Sequence, residues 1–271
     1  MNDSARKINF HFSVKTCAIC GQTGIVPPTV NATAILLAAG SSARMSNEIK
    51  DKILFPLKGK PAIVYSWRAF IDSGLIDRLV TVFRDDFQRG KLESAFAQWF
   101  GHTPGIEIKW TSGGKERQDS VLTGLAAVAA PPPEVVFIHD CARPLVRPGI
   151  LRELHALARE DGAACLGRPM PDTVKELPVA TAEIRNLTLR TLDRDRLWTT
   201  ETPQAFRYPL ILDAYRHIHS SGATVTDDAA AVSASGHTVS LLKNPDPNPK
   251  LTVSEDIPLI ESLLTSACDQ V

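Results

Sequence analysis

The residues of this chain best suited to chemistry fall in three short segments, each combining small side chains with fixed charge. The first is Ala38-Ala39-Gly40-Ser41-Ser42-Ala43-Arg44-Met45, directly after the apolar run Thr33–Leu37. Small residues let a ligand approach the backbone, and successive N–H groups in such a loop can cradle phosphate oxygens. Arg44 adds a permanent positive charge, and Lys50 and Lys52 follow closely. The glycine spacing is neither that of a dinucleotide fingerprint nor that of a Walker loop. An ordinary strand-to-loop turn is the structural alternative.

The second segment, Gly113-Gly114-Lys115-Glu116-Arg117-Gln118-Asp119-Ser120, again pairs glycines with charge, and Asp119 or Ser120 suits a helix cap. The third, His139-Asp140-Cys141-Ala142-Arg143-Pro144, follows the apolar run Val135–Ile138. Asp140 there can hold Mg²⁺ or a ribose hydroxyl, or simply pair with Arg143. Open α/β sheets bind ligands outside the carboxyl ends of their strands, so three such loops imply one phosphate-binding site.

The elements that must position these loops are legible from residue 32 onward, where apolar runs alternate with helical periodicity. That pattern implies an α/β fold around a mainly parallel sheet. Strands are expected at Leu79–Phe83, Ile106–Trp110, Val135–Ile138 and Thr238–Leu242. Apolar stripes predict helices following Pro61, through Leu92, Phe96 and Phe100, over Val121–Val128, and over Ile150–Ala158. Further helices are expected around 209–219 and 226–235 and from about 254. Between about 171 and 206 the spacing is irregular and rich in Thr, Asp and Arg, which suits an arm pairing with another subunit better than a long loop.

The chain has 271 residues, 44% hydrophobic and 22% charged, as expected of a soluble globular protein with a large core. Thirty basic and thirty acidic residues cancel, which argues against a nucleic-acid partner. No stretch approaches the ~20 apolar residues of a membrane span, and the start lacks a signal peptide's apolar core. Five irregularly spaced cysteines suit a reducing cytoplasm. Residues 1–31 lack periodicity and read as a flexible extension. Cys17-Ala-Ile-Cys20 has the spacing of half a zinc knuckle, but with no second pair the cysteines read as structural or incidental.

The three segments, in this order, resemble the 2-C-methyl-D-erythritol 4-phosphate cytidylyltransferase family. The resemblance continues through Asp172-Thr173-Val174-Lys175, Asp193-Arg194, Leu197-Trp198, Thr202-Pro203-Gln204, Thr226-Asp227 and Lys250-Leu251-Thr252, covering roughly 32–267. It implies a Rossmann-like nucleotidyltransferase fold with a protruding dimerisation arm. The implied reaction is transfer of a cytidylyl group from CTP to methylerythritol phosphate in a homodimeric enzyme that uses Mg²⁺ or another divalent cation. By resemblance, Arg44, Lys52, Arg194 and Lys250 are catalytic. Ala38, Ala39, Gly40, Ser41, Gly114, Arg117, Asp119, Ser120, Asp140, Cys141 and Arg143 bind nucleotide. Asp140, Thr173, Arg194, Thr226 and Lys250 bind the acceptor, with Arg194 reaching a partner's site, and Asp140 meets the metal.

The chain departs from the family pattern in two places. Ser42-Ala43 stands where a second glycine and a basic residue are usual, and Asp51-Lys52 replaces a Pro-Lys pair. Lys50 therefore competes with Lys52, which is preferred because an apolar pair and Pro56-Leu57 follow it. Asp51 is unfavourable beside a triphosphate unless it points away or meets the metal. Ribitol 5-phosphate or another polyol phosphate is the alternative acceptor, and a non-catalytic nucleotide-binding regulator the alternative class.

Overall fold

The computed structural model describes residues 14–16, 23–25, 31–45, 49–177 and 188–268. Cys17 and Cys20 lie outside them. Within the extension, β1 (Val14–Thr16) and β2 (Thr23–Ile25) form an antiparallel ribbon where the sequence showed no periodicity.

The strand expected before the first loop is β3 (Ala32–Leu37). The short strands β4 (Pro56–Leu57) and β5 (Lys60–Pro61) lead into helix α1 (Ala62–Asp72). There follow β6 (Ile76–Phe83), α2 (Asp86–Phe100), β7 (Glu107–Ser112), α3 (Arg117–Ala127) and β8 (Val135–Asp140). Next come α4 (Pro148–Asp161), β9 (Ala163–Pro169), β10 (Lys175–Glu176) and β11 (Arg190–Thr191). The chain continues with β12 (Trp198–Arg207), α5 (Tyr208–Ser221), α6 (Asp228–Ala234), β13 (Ser240–Lys243) and α7 (Asp256–Cys268).

The central sheet has seven strands in the order β13-β9-β12-β8-β3-β6-β7. β8, β3, β6 and β7 run parallel, and β12 runs antiparallel to both of its neighbours. From β3 the chain builds outward through β6 and β7, then crosses over to lay β8 on β3's other side. That reversal opens a crevice at the carboxyl ends of β3 and β8, where ligands bind in open α/β sheets.

The sheet is buried on both faces, and its side chains alternate between two cores with the period of a strand. Ala34, Leu36 and Phe137 join the core beneath α1, α2, α4 and α7; Ile35, Val136 and Ile138 join the one beneath α3, α5 and α6. In the first core, Trp67 is fully buried, meets the edges of Phe96 and Trp110, and donates its indole N–H to Thr81.

The irregular stretch resolves into two parts. Lys175–Glu176 and Arg190–Thr191 form an exposed antiparallel hairpin, and a 3₁₀ turn at Arg194–Arg196 follows it. Of the stretch over about 171–206 expected to form an arm, residues 198–206 belong instead to β12 inside the central sheet. Among the described residues, no helix is long and apolar enough to cross a membrane.

Candidate active site

The loop after β3 turns back under tight backbone control. Ala38 N–H donates to the Val82 carbonyl and Met45 N–H to the Ser42 carbonyl, each at 2.9 Å. Ser42 sits at φ 58°, in the left-handed region that disfavours a side chain. Its hydroxyl offsets this by accepting the Lys52 N–H at 3.1 Å, which ties the lysine segment to the loop.

The glycine pair of the second loop is required by space. A Cβ on Gly113 would lie 2.7 Å from the Ala39 Cβ, and one on Gly114 would lie 2.2 Å from the Asp119 Cβ. Gly114 N–H donates to the Ser120 hydroxyl at 3.1 Å, so the second loop is latched to the first turn of α3. Asp119 serves that helix start, accepting the Glu116 N–H at 3.0 Å.

Asp140 ends β8 at the base of the crevice. Its Oδ1 accepts from Arg117 Nε at 3.1 Å and its Oδ2 from Lys250 Nζ at 2.5 Å. Burial alone would raise its pKa, but Arg117 and Lys250 outweigh it and hold the carboxyl well below the usual carboxylate range. Arg117 is itself fixed from behind by a two-bond pair with buried Asp228, at 3.0 and 2.8 Å, and Tyr215 donates to the same carboxylate. The alternative Asp140–Arg143 pair does not form; Arg143 instead donates to the Asn248 carbonyl at 2.6 Å.

Lys52 is 9% exposed. Burial lowers its pKa first, then the nearby positive charges of Lys250 and Arg44, against the opposite pull of Asp140 and Asp256. These cations raise each other's energy, and a bound polyanion relieves that repulsion.

The resulting cleft, about 420 Å³, is lined by Ala39, Gly40, Ser41, Arg44, Lys52, Gly114, Arg117, Ser120, Asp140 and Lys250. Ala38 and Cys141 are buried beneath it, Cys141 with its thiol pushed up by burial. Arg194, Thr173 and Thr226 are exposed and outside the lining, and Arg194 donates to the Pro171 carbonyl at 3.1 Å. Lys50 is exposed and borders a different groove. Ser42, Lys115 and Glu116, which belong to the two loop segments but carried no individual role there, also line the cleft, as does Arg84, which the sequence reading missed. Arg84 was discoverable, because it directly follows the carboxyl end of β6.

No group of three or more His, Cys, Asp or Glu side chains gathers among the described residues. One ionised carboxylate in a polyanion cleft fits a hard cation carried in on a triphosphate, since Mg²⁺ is commonly held by one or two carboxylates plus substrate phosphates.

Beside Asp140, His139 is fully buried between Ser66, Thr202 and the Arg143 carbonyl. Burial pulls its pKa from 6.5 down to about 4. The unfolded chain binds the proton at the higher value and the folded chain only at the lower one. Stability is therefore full above the unfolded pKa and falls as pH drops through this window, by up to about 3 kcal/mol. Melting temperatures between pH 7 and pH 4 should trace this decline, and a folded His139→Asn variant should show a shallower slope. An identical slope in that variant would assign the acid sensitivity elsewhere.

A mainly parallel sheet whose switch-point crevice combines small-residue loops with clustered cations, in a chain that matches a cytidylyltransferase family model, defines a nucleotidyltransferase. More particularly, the chain belongs to the 2-C-methyl-D-erythritol 4-phosphate cytidylyltransferase family, whose model matches residues 32–266. It is 37% identical to the protein of that name from Geobacillus kaustophilus (strain HTA426) over 237 residues, 88% of this chain and 98% of that one. The Bacillus licheniformis protein of the same name is 33% identical over 235 residues, 87% of this chain and 96% of the relative. The crystal structure of 4-diphosphocytidyl-2C-methyl-D-erythritol synthase from Anaerococcus prevotii DSM 20548 superposes with a TM-score of 0.73 at 25% identity, covering 86% and 96% of the two chains.

Proposed function

We propose that this chain transfers the cytidylyl group of CTP to 2-C-methyl-D-erythritol 4-phosphate and releases pyrophosphate, in non-mevalonate isoprenoid biosynthesis in the cytoplasm. The observation that carries the reading is the crowding of Lys52 by Lys250 and Arg44 over one cleft, in a chain of this family. An acceptor phosphate oxygen attacks the α-phosphorus, and the bond from that phosphorus to the pyrophosphate oxygen breaks. No side chain needs to bond covalently to the substrate, so the protein contributes alignment and charge stabilisation.

In this reading the N–H groups of the Ala38–Ser41 loop and Gly114 hold the triphosphate and cytidine, with Ser120 beside them. Arg44 and Lys52 stabilise the charge that develops at the α-phosphate. Asp140 orients the ribose and Lys250, and Arg117 holds Asp140 in place. A divalent cation such as Mg²⁺ would be held by Asp140 and the phosphates, and would supply charge neutralisation. Arg194, Thr173 and Thr226 grip the acceptor phosphate in a homodimer whose arm crosses to the partner's site. Leu177, Leu189 and Trp198, exposed by 38%, 47% and 39% along the arm and its root, support a covered interface there.

Purified protein with CTP, Mg²⁺ and each polyol phosphate tests the reading. Pyrophosphate release is expected with methylerythritol phosphate. Release only with ribitol 5-phosphate would reassign the acceptor, and none with any acceptor would leave a binding protein. Asp140→Asn should raise the Mg²⁺ concentration needed for half-activity by about 10-fold, because it removes the charge that attracts the cation. Full wild-type turnover in excess chelator would contradict this role.

A further inference from the structure

We propose that Asp51, Arg84 and Gln88 form a clasp that positions Lys52 over the cleft. The inference rests on the assignment of Lys52 to the α-phosphate. The three side chains join segments distant in sequence: the loop after β3, the lysine segment, and the corner between β6 and α2. Gln88 is 1% exposed, and its Nε2 donates to both the Ala38 carbonyl, at 3.0 Å, and Asp51 Oδ2, at 2.7 Å. Its Oε1 accepts the Arg84 N–H at 2.7 Å, which fixes the amide's orientation. Arg84 then donates to Asp51 Oδ2 at 3.3 Å and to the Gly40 carbonyl at 3.1 Å. The other Asp51 oxygen accepts the Ile53 N–H at 3.1 Å, and Ser42 takes the Lys52 N–H.

The backbone is thus pinned at Lys52 by Ser42 and at the residue after it by Asp51, which Gln88 and Arg84 hold in turn. Asp51 is turned away from the triphosphate site, with Arg84 balancing its charge. The clasp has a physical task. Lys52 faces Lys250 and Arg44, whose repulsion favours its departure from an empty cleft. A segment held by hydrogen bonds on both sides resists that displacement, so the ammonium is in place before nucleotide arrives. The same side chains hold the carbonyls of Ala38 and Gly40, so the phosphate loop and the lysine move as one body. Asp51, Arg84 and Gln88 are positioning residues in this scheme.

The test is a double-mutant cycle on pyrophosphate release, with melting temperatures recorded for every variant. Asp51→Ala should lower kcat by about 10- to 100-fold, the scale of misplacing a catalytic group by around an ångström, with the KM for CTP changed much less. Added to Lys52→Ala, it should cost less than about 2-fold more, because the residue it positions is already gone. If Asp51→Ala does not fold, Arg84→Gln, which removes the Asp51 ion pair, the Gly40 contact and the bond to the Asp85 carboxylate, carries the same cycle with a smaller single-mutant loss. Unchanged kcat in the folded single variant, or losses that multiply in the double variant, would overturn the clasp. A fully active Lys52→Ala would instead overturn the lysine assignment, and with it the clasp's route of action.

Discussion

Lys52→Ala is expected to lower turnover by about 10²- to 10³-fold, the loss typical of removing one preorganised donor from a site of developing charge. In the displacement, negative charge builds on the α-phosphate oxygens and on the departing pyrophosphate. Lys52 is 9% exposed and already crowded by Arg44 and Lys250, so in the proposed role it would meet that charge in a poorly screened setting without first being reorganised. The loss corresponds to about 3–4 kcal/mol in the transition state. CTP binding should weaken less, because the proposed triphosphate contacts of the loop N–H groups and Arg44 remain. Lys50→Ala is the matched control. Lys50 is exposed beside another groove, so its loss should change turnover by less than about 2-fold. A crippled Lys50 variant beside an intact Lys52 variant would mean that the lysine role belongs to Lys50.

The parts of the fold that were legible in the sequence are those where one physical signal acts alone. β3 and β8 are short apolar runs buried on both faces, and α1 and α4 carry stripes of helical period. β12 was not legible, because its buried centre is polar. Glu201, Thr202 and Gln204 are each at most 6% exposed and are satisfied by Asn244, Asn248 and Asp227, partners that become neighbours only in the folded chain. β9 hid for a different reason. Its Ala163-Ala164-Cys165 start gives little hydrophobic signal, although every one of those residues is buried.

The site follows the same division. The cleft's loops announce themselves through small residues beside charge, and the structure gathers Arg44, Lys52, Gly114, Asp140 and Lys250 around one crevice. The supports beneath them are long-range pairs that local sequence does not reveal. Arg117 is held by Asp228 from 111 residues away, and Asp51 is turned from the cleft by Gln88, 37 residues away. In sequence, Asp51 could be read only as a charge in an awkward place. Its meaning came from where its partners sit.

Arg194→Ala is expected to cut kcat/KM for the acceptor by about 10³-fold, through loss of a planar fork able to make two charge-assisted bonds to a phosphate. CTP affinity should stay within about 3-fold, because Arg194 lies outside the cleft that holds the nucleotide loops. Within one chain its guanidinium is exposed and bonded to the Pro171 carbonyl, beyond the arm hairpin. In the proposed homodimer, the second subunit brings this guanidinium to the acceptor phosphate. The decisive experiment mixes inactive Arg194→Ala protein with inactive Lys52→Ala protein under conditions that allow subunit exchange. If sites are shared, a heterodimer contains one site lacking both functional residues and one site with both intact. Its activity should then reach about half that of a wild-type dimer, the arithmetic of one working site in two. Proven exchange without recovered activity would place Arg194 and Lys52 in the same subunit's site. The arm would then have to fold back onto its own cleft to reach the acceptor.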